Sequence, residues 1–347
     1  MASPVNATTF VYVGATNSNE IHVLALDPKS GDLTPVEQVT MPGITKTDGS
    51  TPMAISPDKR FLFAGTRGDP KVAASFKIDP ASGKLTHIAN GPLADSMAYI
   101  VTDRTGKFLL SASYPGHKIS VNPIAPDGTV QPPKQVMPTQ PNAHSILTDA
   151  SNRHVLVPSL GGDIVHQLNF DAATGTLSDN TPPSVAVKAK AGPRHFRFHP
   201  NGNLVYLLTE LDASLYVFDY DAEKGTLTQK QMVSALPAGY SGKVWAADLH
   251  LTPDAKYLYA SERGTSTLAA FKVDSANGTV TLIDHYPTEQ QPRGFKIDPS
   301  GNYLLAVGQL SDSMTTYRID GATGKLAKLK QYPMGKNPNW VEIVDLP

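Results

Sequence analysis

No cysteine occurs among the 347 residues, which excludes disulfides, thiol catalysis and cysteine-ligated zinc. The compartment stays open on that count, because a secreted protein can also lack cysteine. Charge of one sign is missing too: 30 Lys and Arg against 31 Asp and Glu leave a net charge of −1. That balance gives no footprint for wrapping a nucleic-acid backbone, so no nucleic-acid partner is expected. No apolar stretch reaches membrane-spanning length, and no membrane partner is expected. The leader at 1–9 has neither a basic start nor an apolar run, so a secretory signal is not expected and the cytoplasm is the default. Heptads and long helical patterns are absent. There is no Gly-x-Ser-x-Gly elbow, phosphate-binding P-loop or dinucleotide fingerprint, so a serine-nucleophile mechanism has no support.

What the chain does have is 27 Gly, 29 Pro and a repeat. The segment Asp27-Pro-Lys-Ser-Gly-Asp-Leu33 returns at 79–85, 127–130 in shortened form, 171–177, 221–227, 274–280 and 320–326. Each copy places a glycine just before an apolar residue, the chemistry of a hairpin that needs one positive-φ position. Upstream of each lies a short apolar strand that can be phased on Val11, Phe61, Phe108, His154, Leu204, Tyr257 and Tyr303. A further turn and strand precede six of these. Each unit therefore reads as four strands, A to D, with a period of about fifty residues, the signature of a β-propeller. The expected fold is all-β: one seven-bladed β-propeller domain over 1–347 with four-stranded antiparallel blades. The first unit lacks strand A, and Asn337-Pro-Asn-Trp-Val-Glu-Ile-Val344 matches strand A elsewhere. The C-terminal strand is expected to complete blade one and close the ring without a free edge.

Strand A lies nearest the axis, so its first residue should sit at one mouth of the central channel. Counting back from each A/B turn gives Thr51, Ala98, His144, Arg194, Ala247 and Arg293, and the closing strand adds Asn339. Strand B runs antiparallel and returns to the same mouth. Its far end supplies Asn17, Arg67, Tyr114, Leu160, Glu210, Arg263 and Gln309. Polar groups at the ends of such apolar strands need water or a ligand to meet them. A polar blade end also serves as a cap or an ion pair between blades. Convergence of four arginines with Glu210 and His144 on one mouth favours function. Such a set suits a small anion and a developing oxyanion, with His144 or Glu210 as general base. Tyr114, Gln309 and Asn339 join Arg67 and Arg293 as expected substrate contacts. His195 should point away from Arg194 and pack, unless the strand start is irregular, in which case it joins them. Asp248 is placed either to assist the mouth or to bond backbone amides. No histidine pair has metal-ligand spacing, so no metal site is expected.

These residues carry a family resemblance. Ala191-Gly-Pro-Arg-His195, Trp245-Ala-Ala-Asp-Leu-His250, Pro287-Thr-Glu-Gln-Gln-Pro-Arg-Gly294 and Gly308-Gln309 resemble the bacterial 6-phosphogluconolactonases of the seven-bladed β-propeller lactonase family, over most of the chain. The resemblance implies hydrolysis of a phosphorylated sugar lactone, 6-phospho-D-glucono-1,5-lactone, in the oxidative pentose phosphate pathway, with no cofactor. It also implies that His144, Arg194, Glu210 and Arg263 are catalytic, because they match the His, Arg, Glu and second Arg of related fungal muconate cyclases. Gln140-Pro-Asn-Ala143 departs from the pattern by lacking a Gly-Cys pair. The competing readings are a muconate-type cycloisomerase, a propeller that only binds protein, and a metal-dependent sugar lactonase. Against the binding platform stands an aromatic content of 7%; against the metal enzyme, the absence of a carboxylate ring at the mouth. Nothing in the sequence sets an oligomeric state, and a monomer is compatible with it.

Overall fold

The computed structural model describes residues 7–347, so most of the leader, and the expected lack of a secretory signal in it, lies outside the described residues. Among those described, each repeat begins as a local turn. At 171–177 the Asp171 carboxylate accepts the Ala173 N–H at 2.9 Å and the Thr174 hydroxyl at 2.6 Å, and the Gly175 N–H returns to the Asp171 carbonyl at 2.7 Å. Asp27, Asp79, Asp221, Asp274 and Asp320 accept backbone N–H groups in the same way.

Gly175 is needed twice over. Its φ is +70°, and a Cβ there would stand 2.3 Å from the Phe108 ring of the preceding blade. The anchor of one blade is thus the floor beneath the hairpin of the next. The same relation sets Gly83 over Phe10, one residue before the Val11 on which blade one is phased, Gly128 over Phe61, Gly225 over His154, Gly278 over Leu204, Gly324 over Tyr257 and, across the seam, Gly31 over Tyr303. Replacing Gly175 by Ala should therefore destabilise the ring by about 2–4 kcal/mol, combining a left-handed backbone with overpacking. Denaturant unfolding reads this directly. A loss below about 0.5 kcal/mol, the scale of a neutral surface change, would mean the hairpin simply slides away from Phe108.

Seven four-stranded antiparallel sheets result. In blade five, strands A to D are Pro193–Phe198, Leu204–Thr209, Ser214–Asp221 and Thr226–Ser234. Strand B is buried along its whole length here, as it is at Tyr257–Glu262 and Tyr303–Gly308. Sheets stacked face to face cover it on both sides, which explains the uninterrupted apolar runs. The core lies between blades: Leu204, Leu208 and Leu215 of blade five meet Leu249, Leu258 and Phe271 of blade six.

The closing strand, Pro338–Leu346, pairs antiparallel with Thr8–Ala15 in the register Thr8 to Leu346 through Gly14 to Trp340. Blade one is therefore built from both ends of the chain, as the repeat predicts. The only helical turn among the described residues is Leu160–Gly162, and no helix is long and apolar enough to cross a membrane.

A strands of neighbouring blades touch around the axis. Most of them begin with an extra residue. Pro193 pairs with Thr209 and His195 with Leu208, which leaves Arg194 unpaired between them. Arg293, Ala98 and Asn339 occupy the same place in their blades. In blade four an isolated bridge from Ala143 to Ser159 precedes His144. A bulge of this kind re-aims a side chain at a sheet end, and here it turns Arg194 and Arg293 toward the channel mouth.

Candidate active site

Arg67, Tyr114, His144, Arg194, Glu210, Trp245, Arg263 and Arg293 line one cavity of about 230 Å³ at that mouth. Of the ten residues expected at a site, seven lie there; Gln309, Asn339 and His195 do not. The Gln309 side chain donates to Asn337 Oδ1 at 2.9 Å, on the turn outside the cavity. Asn339 is fully buried behind the mouth, donating to Thr16 Oγ1 at 2.7 Å and accepting from Thr51 N at 3.1 Å. It staples the closing strand to blade two. His195 is buried one layer below, its ring centroid 5.1 Å from that of His144. The bulge makes the strand start irregular, so His195 faces the channel instead of packing away from it. In blade one the aligned residue is Thr16 rather than Asn17, because Ala15 pairs with Pro338 as Thr209 pairs with Pro193. Blade one has no upstream turn from which to count, hence the slip.

Glu210 is held by three donors. Arg194 Nε and Arg263 Nη2 each donate to its Oε2 at 2.8 Å, and Trp245 Nε1 donates to Oε1 at 3.1 Å. Arg194 also donates to the Ala247 carbonyl. Arg263 donates to the Trp245 carbonyl at 3.0 Å and stacks its guanidinium 3.9 Å from the centre of the Trp245 ring. Burial pushes the Glu210 carboxyl up, but Arg194, Arg263 and Arg293 outweigh it and hold it below the usual carboxylate range. A carboxylate so engaged is a poor proton acceptor, and it makes no bond to His144.

His144 contrasts with it. Only 4% of its surface is exposed, and its Nδ1 is buried with no hydrogen-bond partner. Burial pushes its pKa well below the usual histidine value, and Arg194, His195, Arg293 and Arg67 push in the same direction. The imidazole is therefore neutral at pH 7, and unlike the Glu210 carboxylate it is engaged by no arginine. Tyr114 abuts it edge to face at 5.6 Å.

The remaining arginines have no carboxylate. Arg67 reaches Ser96 Oγ at 3.3 Å and Ser50 Oγ at 3.5 Å, and Arg293 reaches Ser50 Oγ at 3.2 Å. Neither is in an ion pair with a described residue. Burial, then Arg194, Arg263 and Arg67, drive Arg293 well below its ordinary pKa, and burial followed by Arg194 brings Arg263 down to about 9. Four guanidinium groups facing one carboxylate in a partly desolvated cavity strongly favour an incoming anion. Among the described residues no three His, Asp or Glu side chains converge as a metal ligand set.

Trp245, Ser50 and Ser96 were not among the expected site residues. One of only two tryptophans in the chain, Trp245 immediately precedes strand A of blade six and could have been flagged on that ground. Ser50 precedes Thr51 and was within one residue of the counted ring. Ser96 carries no sequence signal of its own.

Comparison with known proteins places the chain as a whole. The protein-family profile described as "Lactonase, 7-bladed beta-propeller" matches residues 7–343. A 6-phosphogluconolactonase of Pectobacterium carotovorum is 42% identical over 288 residues, 83% of this chain and 84% of that protein. The 6-phosphogluconolactonase of Yersinia pestis is also 42% identical over the same shares of both chains. Among solved structures, the periplasmic gluconolactonase PpgL of Pseudomonas aeruginosa superposes with a TM-score of 0.89 at 28% identity, covering 98% of this chain and all of that one.

Proposed function

The chain belongs to the lactonase family of seven-bladed β-propellers, and from that premise we propose that it hydrolyses 6-phospho-D-glucono-1,5-lactone to 6-phospho-D-gluconate. The observation that carries the substrate is the pair Arg67 and Arg293, two half-buried guanidinium groups with hydroxyl partners only, in the same cavity as a neutral imidazole. A phosphate at one end of a lactone fits such a pair. His144 is the general base. It takes a proton from water as the water oxygen bonds to the lactone carbonyl carbon, and Arg194 and Arg263 stabilise the oxyanion that forms. Collapse of that intermediate breaks the bond to the ring oxygen, which receives the proton from His144. The resulting acid then ionises to solvent. Glu210 holds the two oxyanion arginines in place rather than acting as base. No metal or organic cofactor enters these steps.

The test compares kcat/KM for the phosphorylated and unphosphorylated lactones, with spontaneous hydrolysis subtracted. The phosphorylated substrate should be strongly preferred, since without phosphate the guanidinium groups stay unpaired. Arg67→Ala and Arg293→Ala should each narrow that preference by about 10- to 100-fold, the worth of one charge-assisted bond. An unchanged ratio in both variants would put the phosphate elsewhere. A wild-type preference for the plain lactone, the substrate named for the Pseudomonas relative, would replace the phospholactone reading altogether. We place the reaction in the cytoplasm, where charge retains sugar phosphates; cell fractionation against a periplasmic marker checks this.

A further inference from the structure

Behind His144, toward the axis, lie two buried side chains that the proposed steps leave unused. His195 Nδ1 is 2.9 Å from Asp248 Oδ1. Asp248 also accepts from the Leu249 N–H at 2.9 Å and Arg197 Nη2 at 3.3 Å, and lies 3.1 Å from His250 Nε2. Burial opposes ionisation of Asp248, but His250, His195 and Arg197 outweigh it, so the carboxylate is charged. An ionised carboxylate only accepts, so His195 must carry its hydrogen on Nδ1, and its Nε2 must present a lone pair.

That Nε2 is buried without a partner, and so is Nδ1 of His144. The two rings are immediate neighbours, with centroids 5.1 Å apart and planes at 65°. Tyr99 and Trp340 pack edge to face against His195 at 5.3 and 6.3 Å, fixing it in place. Two orphaned nitrogens on adjacent buried rings, one of them an acceptor by necessity, complement each other. An N–H on His144 Nδ1 directed at the His195 Nε2 lone pair would satisfy both, and burial of unpaired polar atoms favours such a bond.

We propose that Asp248 and His195 are positioning residues: together they hold His144 in its Nδ1–H tautomer and leave its Nε2 to accept the proton of the attacking water. This rests on the reading of His144 as base. It also answers an electrostatic problem of that reading. Arg194, Arg293 and Arg67 all oppose a positive His144, as a protonated His195 would, Tyr114 is neutral, and the one carboxylate in the cavity is committed to Arg194 and Arg263. Burial keeps His195 neutral, and Asp248, which Arg197 also bonds, orients its Nε2 lone pair to meet His144 when that ring becomes cationic. No proton reaches Asp248; the proton on His144 Nε2 passes on to the ring oxygen as before.

Two readouts test this. The first needs no substrate: nitrogen-15 NMR of the histidine side chains should show His144 and His195 of the wild type as Nδ1–H tautomers. Asp248→Asn, which frees His195 to turn over, should shift His144 toward Nε2–H. The second is kinetic. Asp248→Asn and His195→Phe should lower kcat by about 10- to 100-fold with KM within about twofold, the pattern of a lost orienting partner. His195→Gln, whose amide oxygen can still accept from His144, should recover most of that loss. An Nε2–H tautomer of His144 in the wild type overturns the proposal. So does Asp248→Asn with wild-type kcat, or a His195→Gln variant no better than His195→Phe. Should His195→Phe fail to fold, Asp248→Asn and His195→Gln decide by themselves. A wild type without lactonase activity would remove the proposed function, whereas the tautomer measurement would still decide this one.

Discussion

His144→Ala lowers kcat on the phospholactone by roughly 10²- to 10⁴-fold, the usual worth of a general base, and leaves the unfolding transition nearly in place. The ring survives because the His144 side chain lines the cavity and bonds no backbone group of any described blade. Glu210→Gln should also lose activity, by a different route. Its Oε2 is shared by Arg194 and Arg263, and a neutral amide there lets both guanidinium groups shift. The pH dependence separates the two. A base must be unprotonated, so activity falls as pH drops through its pKa, and burial with three arginines holds that pKa well below the usual histidine value. The acid limb of kcat/KM should therefore lie below pH about 6.5, the free histidine value. It should persist in Glu210→Gln, merely scaled down. A limb that vanishes in Glu210→Gln while His144→Ala keeps it would transfer the role of base to Glu210.

Arg194→Met, which fills the vacated space with an uncharged chain, lowers kcat/KM by roughly 10²- to 10³-fold on phosphorylated and plain lactones alike, as loss of an oxyanion donor does. Only 1% of Arg194 is exposed, and it bonds Glu210 while pressing electrostatically on Arg293, Arg263 and His144. Breaking a buried ion pair ordinarily destabilises a fold, but here the same change relieves repulsion among the arginines. Stability should consequently fall much less than activity. Parallel measurement of both substrates and of Tm checks the assignment. A loss confined to the phosphorylated substrate would make Arg194 a phosphate ligand and pass the oxyanion to Arg263.

Most of the ring of mouth residues was legible without coordinates, because a fixed distance separates each A/B turn from the mouth. Counting from those turns reached His144, Arg194 and Arg293, and counting along strand B reached Arg67, Glu210 and Arg263, all of which line one cavity. The misses share a cause. His195 was assigned by strict alternation along a strand, and the bulge at Arg194 breaks that alternation. Gln309 and Asn339 sit at the right end of their strands, yet Asn337, Thr16 and Thr51 engage them first. That Glu210 would be taken up by Arg194, Arg263 and Trp245, leaving His144 uncoordinated by it, could not be counted from any turn.

By itself the sequence determined the number of blades, their strand order, the closure of the ring by the C-terminal strand and the family. The blade features follow from local rules: a glycine at positive φ, a capping aspartate, and apolar runs repeated at a nearly constant period; the family follows from the resemblance carried by the motifs at 191–195, 245–250 and 287–294. Only the tertiary structure decided which arginines are ion-paired and which have hydroxyl partners alone, which of the two candidate bases is engaged by arginines, and which buried carboxylate lies behind the other. Those outcomes depend on distances between side chains carried by different blades. Such distances exist only once the ring has closed and water has been excluded from its mouth, when a displacement of one residue at a bulge changes which charges meet.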